Sequence, residues 1–364
     1  MLASGAMGAR VLVAMSGGVD SSVAACLLHE RGYQVVGCHM KLVHLAGGSV
    51  DHGCCGPRAR ADAGEVARIT GFPFEVVDMT DAFEETVLDD FFSEHEAGRT
   101  PNPCVRCNEH VKFGAFLERA EQVGADLVAT GHYVRAERDA AGGWHLYRGA
   151  DAAKDQSYML HTLGQEELAR SLFPVGSLSK SETRRHAERL GLPVARKPDS
   201  QDVCFVPDGD HAAFLEAFVP RLVREGEVVD PEGRVVGTHR GAFRFTIGQR
   251  RGLGVSTSER SYVVDVDQAA NRVVVGPERL LARRGLLADR VTWVAGRPPD
   301  GGPCECSVRI RYRGDDVPAV VEPDGESARV EFRSPQRAVA PGQSVVFYRD
   351  DELLGGGRIV EALR

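Results

Sequence analysis

Apolar and polar positions in the first two hundred residues alternate between two rhythms. An apolar run at 11–15 predicts a buried strand, and Val23, Leu27 and Leu28 then recur on one face of a helix that Gly32 stops. Residues 34–40 read as a second buried strand, 61–70 as a helix, 74–79 as a strand, 109–123 as a helix and 126–133 as a strand. Another helix is predicted over 178–190, with Ser179 and Glu182 in capping-box spacing and Gly191 as terminator. Strands and helices alternating at these lengths build a doubly wound parallel sheet, which binds its ligand at the carboxyl ends of the strands.

Beyond about residue 207 the rhythm changes to short strands between Gly, Pro and Asp turns, at 243–247, 262–266, 272–275, 304–312, 328–332 and 344–348. At 364 residues the chain exceeds one ordinary core. The expected organisation is an α/β domain over 1–207, a small central β domain over 208–284 and a C-terminal β-barrel over 285–364.

The loop after the first strand carries the clearest chemistry. Ser16-Gly17-Gly18-Val19-Asp20-Ser21-Ser22 ends a strand in glycine and hydroxyl residues just before a helix, an arrangement that holds phosphate on backbone N–H groups. Asp20 is placed to hold a magnesium ion on those phosphates. The lysine and spacing of a γ-phosphate-gripping loop are absent, which disfavours kinase or GTPase chemistry. SGGVDSS instead resembles the PP-loop of ATP pyrophosphatases, a resemblance that implies release of pyrophosphate with AMP left on an acceptor oxygen.

Charge adds little to this picture. The net charge of -8 does not advertise nucleic-acid binding, so any RNA contact must be a local patch. No apolar run approaches the roughly 20 residues of a membrane span, and no secretory signal is visible, so a cytoplasmic location without membrane contact is expected. In such a reducing compartment nine cysteines read as buried, metal-binding or reactive thiols.

Cys104 and Cys107 form a CxxC in a proline-stiffened turn before a helix, whose N-terminal N–H groups lower a thiol pKa. A reactive thiolate, half of a zinc site and buried structural thiols are the alternatives at this point. Cys204 stands alone, and Cys26 and Cys38 fall in core positions. His52, Cys54 and Cys55 share a glycine-rich loop and read as structural. Alternation along 304–312 puts Arg309, Arg311 and Arg313 on one strand face, which with Arg250 and Arg251 makes a candidate phosphate-backbone contact.

Further segments then agree in order along nearly the whole chain: TPNPCVRCN from Thr100, ATGHY from Ala129, KDQSYML from Lys154, SQDVCF from Ser200, FTIGQRRGLG from Phe245, ECSVRIRYR from Glu305 and PGQSVVFY from Pro341. Together with SGGVDSS they resemble the bacterial tRNA-specific 2-thiouridylase family. The resemblance implies ATP- and Mg2+-dependent 2-thiolation of the wobble uridine, U34, of tRNA. It puts ATP on Ala14, Met15, Ser16, Gly17, Gly18, Val19, Asp20, Ser21, Met40 and Gly131. The target base falls to Asn102, Pro103 and Cys104, and other tRNA contacts fall to His132, Lys154, Asp155, Gln156, Arg311, Tyr312 and Gln343 in the catalytic domain and the C-terminal barrel.

In the same resemblance Cys107 matches the nucleophile and Cys204 the carrier of a persulfide received from a sulfur-donor protein. Some family members have Asp where this chain has Cys104, so that position departs from the pattern. An alternative makes Cys104, Cys107 and Cys204 the ligands of an iron-sulfur cluster. Two further readings are a PP-loop ligase with a small-molecule acceptor and a non-catalytic RNA-binding module with a structural zinc.

Overall fold

The computed structural model describes residues 8–43, 56–199, 203–255 and 260–364. Strand β1 (Arg10–Ala14) is the centre of a five-stranded parallel sheet. The chain winds outward on one side through β2 (Gln34–Lys41) and β3 (Phe74–Asp78), then returns to the other side of β1 as β4 (Leu127–Ala129). A hairpin of β5 (Val134–Arg138) and β6 (Trp144–Arg148) leaves the sheet before β7 (Ser171–Leu172) completes it beside β4. The order β3-β2-β1-β4-β7 puts the topological switch between β1 and β4, the crevice where such sheets bind ligands.

Helix α1 (Val19–Glu30) follows β1, and α2 (Pro57–Thr70) packs against it. From Val19 to Leu28, all but Asp20 of α1 is buried, which explains why the helix lacks a strong polar face. The later helix Lys180–Arg189 covers α1 and has the expected capping box: Ser179 Oγ accepts from Glu182 N. Cys26 and Cys38 are fully buried, and burial raises both thiols, Cys38 to about 12.

The central sheet consists of β8 (Gly226–Val229), β9 (Val235–His239), β10 (Ser261–Asp267) and β11 (Arg272–Pro277), in the order β10-β11-β8-β9. The strand expected at 243–247 is instead a single helical turn, Ala242–Arg244. Gly241 and Gly248, both at positive φ, bound the segment. Phe243 packs into the core of the first domain and Phe245 into that of the central sheet, so their alternation reflects two cores rather than one strand.

Strands β12 (Ala282–Trp293), β13 (Cys304–Arg309), β14 (Val317–Asp324), β15 (Ser327–Arg337), β16 (Ser344–Arg349) and β17 (Glu352–Leu363) form a closed barrel, because β12 pairs with both β15 and β17. The β5–β6 hairpin extends this sheet through β17, so a piece of the first two hundred residues belongs structurally to the barrel. A buried carboxylate strengthens the junction. Glu94 receives two hydrogen bonds from Arg99 and one of 2.6 Å from Arg358 on β17, which also grips Asp289. Such a pair is costly to break from one side, by about 3–5 kcal/mol, because the remaining charge is left buried.

Strand β13 stops at Arg309, short of the expected 312, and Gly314 N closes a turn on Arg311 O at 3.0 Å. The predicted three-arginine strand face therefore does not exist. Arg309 points inward to Asp316 at 2.9 Å and Asp155 at 3.5 Å, whereas Arg311 and Arg313 are exposed.

Candidate active site

The SGGVDSS loop leaves β1 with Gly17 at φ +69, and Gly18 caps α1 in an extended conformation. A Cβ at Gly17 would lie 2.1 Å from Ala59 O on α2, so only glycine lets the two elements approach this closely. Inside the loop Ser21 Oγ accepts from Ser16 N at 3.2 Å, and Ser22 Oγ donates to Gly18 O at 2.8 Å. Gly131, just past β4, closes the other wall of the crevice: a Cβ there would meet Ser21 N at 2.5 Å and Asp20 C at 2.7 Å. Met40, half-buried, lies at the end of β2, and His39 Nδ1 is 2.9 Å from Met15 O. The expected ATP residues therefore converge on the ends of β1, β2 and β4, with glycine at each close approach. A helix N-terminus, hydroxyls and one carboxylate form a donor set suited to a Mg-bound polyphosphate.

Several charged residues here, Lys180, Arg184 and Lys197, belong to no motif that would have revealed them. Lys180 Nζ lies 2.8 Å from both carboxylate oxygens of Asp20 and 2.8 Å from Asp199 Oδ1. Tyr133 OH donates to Asp20 Oδ1 at 2.8 Å and lies 2.9 Å from Thr183 Oγ1. Asp199 also receives Lys154 Nζ at 2.8 Å and Arg184 Nη2 at 3.1 Å. Burial raises its pKa, but hydrogen bonds from Lys154 and Lys180 outweigh burial and bring it down to about 2. Lys197 Nζ braces the loop itself, on Gly17 O at 2.9 Å and Asp62 at 2.6 Å. Lys180 and Asp20 are 160 positions apart, and only the fold shows their pairing.

The thiol segments lie on the other side of the sheet. Asn102 caps the helix start at Pro103, accepting from Cys104 N at 3.2 Å, and Cys107 opens a stretch of wide π-type turns, Cys107–Ala115. Asn108 Nδ2 ties that stretch to Met159 O at 2.9 Å. Cys107 is buried in one hydrophobic cluster against which Cys204 packs. Phe205, the neighbour of Cys204, meets Phe83 and Phe91 edge-on at 5.5 and 5.4 Å. Cys104 is exposed. Among the described residues no three Cys, His, Asp or Glu side chains gather as ligands of one metal. His52, Cys54 and Cys55 lie outside the described residues, as do Ser200, Gln201 and Asp202.

Comparison with known proteins then decides the family. A protein of Geobacter metallireducens named tRNA-specific 2-thiouridylase MnmA is 49% identical over 360 residues, covering 97% of both chains. Proteins of the same name from Heliobacterium modesticaldum and Acidothermus cellulolyticus are 48% and 47% identical, covering 97% and 98% of this chain and 93% and 98% of their own. This chain belongs to the tRNA-specific 2-thiouridylase family. Residues 9–208 of this family member match the tRNA methyl transferase HUP domain, 212–277 its PRC-barrel domain and 283–359 the aminomethyltransferase beta-barrel domain.

The residues that the thiouridylase resemblance assigns to tRNA are not all exposed. His132 is buried, its Nδ1 2.7 Å from Thr130 Oγ1, and burial holds its imidazole well below the usual histidine range. Asp155 is also buried, accepting from Gly149 N, Ser157 N and Ser157 Oγ. Gln156 Oε1 accepts from Tyr133 N. Tyr312 packs against Tyr158 at 6.0 Å, and Arg311 is exposed with Nη2 on Arg337 O. Gln343 joins the barrel to the loop before Asn102 through Thr100 O at 2.8 Å. No helix among the described residues is long and apolar enough to cross a membrane.

Proposed function

We propose that this protein uses ATP to replace the C2 oxygen of the wobble uridine of tRNA, U34, with sulfur. The single observation that carries the reading is the pairing, in one domain, of a glycine-built phosphate crevice at the switch point with Cys107 and the Cys204 segment on one hydrophobic cluster. Names of the matched domains speak of methyl transfer, whereas full-length relatives are named for 2-thiolation. The second description covers the whole chain, and a paired-thiol site serves sulfur chemistry, so thiolation is preferred.

In this reading the C2 oxygen attacks the α-phosphate of ATP and pyrophosphate leaves, which turns a poor leaving group into AMP. Gly17, Gly18 and the amides opening α1 would hold the phosphates, and Asp20 would hold a divalent ion that offsets their charge. The terminal sulfur of a persulfide on Cys204 attacks C2. Cys107 thiolate then attacks Cys204 Sγ, and the S–S electron pair passes to the departing sulfur. AMP leaves, and a Cys107–Cys204 disulfide remains for an external dithiol to reduce. A donor protein loads the next persulfide on Cys204. Asn102, Pro103 and Cys104 line the approach of the base, and Lys154, Gln156, Arg311, Tyr312 and Gln343 form the surrounding tRNA contacts.

The test is thiolation of an unmodified tRNA transcript with ATP and a persulfide donor, with AMP and iron measured alongside. Formation of 2-thiouridine in step with AMP supports the reading. ATP-independent thiolation, or AMP transfer to a small molecule without tRNA, overturns it.

A further inference from the structure

We propose that Lys180 is a polyphosphate ligand that passes from Asp20 to the nucleotide when a divalent cation takes the Asp20 carboxylate. The proposal deepens the ATP reading above and rests on it. An ammonium has three N–H donors and no acceptor. In this structure Lys180 places them on Asp20 Oδ1, Asp20 Oδ2 and Asp199 Oδ1, each at 2.8 Å. Its side chain is only 12% exposed, so water cannot readily replace a lost partner.

A divalent cation bound through a carboxylate oxygen competes for the same lone pairs and repels the ammonium beside it. Once the cation is seated, two of the three Lys180 donors must find another anion on the Asp20 side. Phosphates resting on the first turn of α1 meet that need, since Asp20 belongs to that turn. The third donor keeps its hold on Asp199, which Lys154 and Arg184 also grip, so the side chain pivots rather than leaves. Its backbone is fixed as well: Lys180 N donates to Asp151 Oδ2 at 2.9 Å. Nearby cations are differently engaged, with Lys197 on Gly17 O and Asp62 and Arg184 on Ala195 O and Lys197 O.

Equilibrium binding to the full-length protein tests the exchange with four probes: a Mg-bound ATP analogue with an α,β-methylene bridge, the same analogue with EDTA, AMP, and Mn2+ alone. Lys180→Gln is expected to weaken the Mg-analogue by about tenfold or more, because a charge-assisted phosphate contact is lost. It should leave AMP affinity unchanged and tighten Mn2+ binding, since the cation no longer competes with an ammonium. Asp20→Asn releases Lys180 from its carboxylate and is expected to bind the metal-free analogue more tightly than the wild type, a gain that disappears in the Asp20→Asn/Lys180→Gln double variant. This second arm decides the question even if Lys180→Gln alone fails to fold. Unchanged Mg-analogue affinity in Lys180→Gln, equal losses for AMP and the analogue, or a gain in Asp20→Asn that survives in the double variant would overturn the proposal. If the wild type binds no Mg-analogue at all, the ATP reading itself fails.

Discussion

Gln343 Nε2 of the barrel donates a 2.8 Å hydrogen bond to the carbonyl oxygen of Thr100, two residues before Asn102. Thr100 N in turn donates to Pro341 O at 2.8 Å, so the C-terminal domain fixes the loop that presents Asn102, Pro103 and Cys104. Gly342 sits between them at φ +92, where a Cβ would come within 2.7 Å of Thr100 N. Gly342→Ala therefore pushes the loop off the barrel through backbone strain and collision together. The expected result is slowed tRNA thiolation with ATP affinity unchanged, measured by single-turnover kinetics and equilibrium nucleotide binding. Equal activity would show that the barrel does not position this loop.

Asp20 is predicted to be essential to the nucleotide step. Asp20→Ala removes the carboxylate at the crevice and leaves Lys180 without two of its acceptors. Conversion of ATP to AMP and pyrophosphate in the presence of tRNA should be abolished. Wild-type turnover to ADP and phosphate, or full activity in the variant, would remove the pyrophosphatase assignment.

Acid should loosen the junction between domains through His161. Its Nε2 lies 3.0 Å from Ser344 Oγ on the barrel, and burial lowers the imidazole to about 4. The unfolded chain binds a proton below about 6.5 that the folded protein refuses until about pH 4, so this stabilisation is present above that window and lost as pH falls through it. Between pH 7 and 5 the loss from this group is about 2 kcal/mol. Urea unfolding at both pH values should show a shallower pH dependence in His161→Gln than in the wild type, and an identical slope would exclude His161 as a source.

Exposed and inward arginines should separate cleanly. Arg311 and Arg251 are exposed, so alanine at either position is expected to weaken tRNA binding across tRNA species and lower its salt dependence while sparing ATP affinity. Arg309 is paired with Asp316 and lies near Asp155, so Arg309→Ala should lower the unfolding midpoint instead. Filter binding at several salt concentrations tests the first pair, and unaltered affinity would make them merely solvated.

The nucleotide side of the site was legible in sequence because its signals are local. Glycine is needed wherever backbone approaches backbone, as at Gly17 and Gly131, and a capping box such as Ser179–Glu182 spans one helical turn. The partners of Asp20 were not legible, because Lys180 and Tyr133 meet it only through the fold, and Asp199 joins them only through Lys180. Period-two reasoning misled at 243–247, where two phenylalanines serve different cores, and at Arg311, which lies beyond the end of β13. The β5–β6 hairpin was missed because its strands complete a sheet formed mostly by residues far along the chain.

The central claim is that Cys204 carries sulfur while Cys107 accepts the bond it leaves. Cys204→Ser should acquire no persulfide from a donor, Cys107→Ser should retain the persulfide yet thiolate no tRNA, and Cys26→Ser, altered only in a buried thiol that burial holds protonated, should do neither. The most direct measurement is mass spectrometry of the wild-type protein after one turnover without reductant. A Cys107–Cys204 disulfide formed in step with 2-thiouridine is the predicted result, which requires their Cα atoms to approach within about 7 Å during the cycle. Normal single-turnover thiolation by Cys107→Ser, or product formed with both cysteines still reduced, would contradict it.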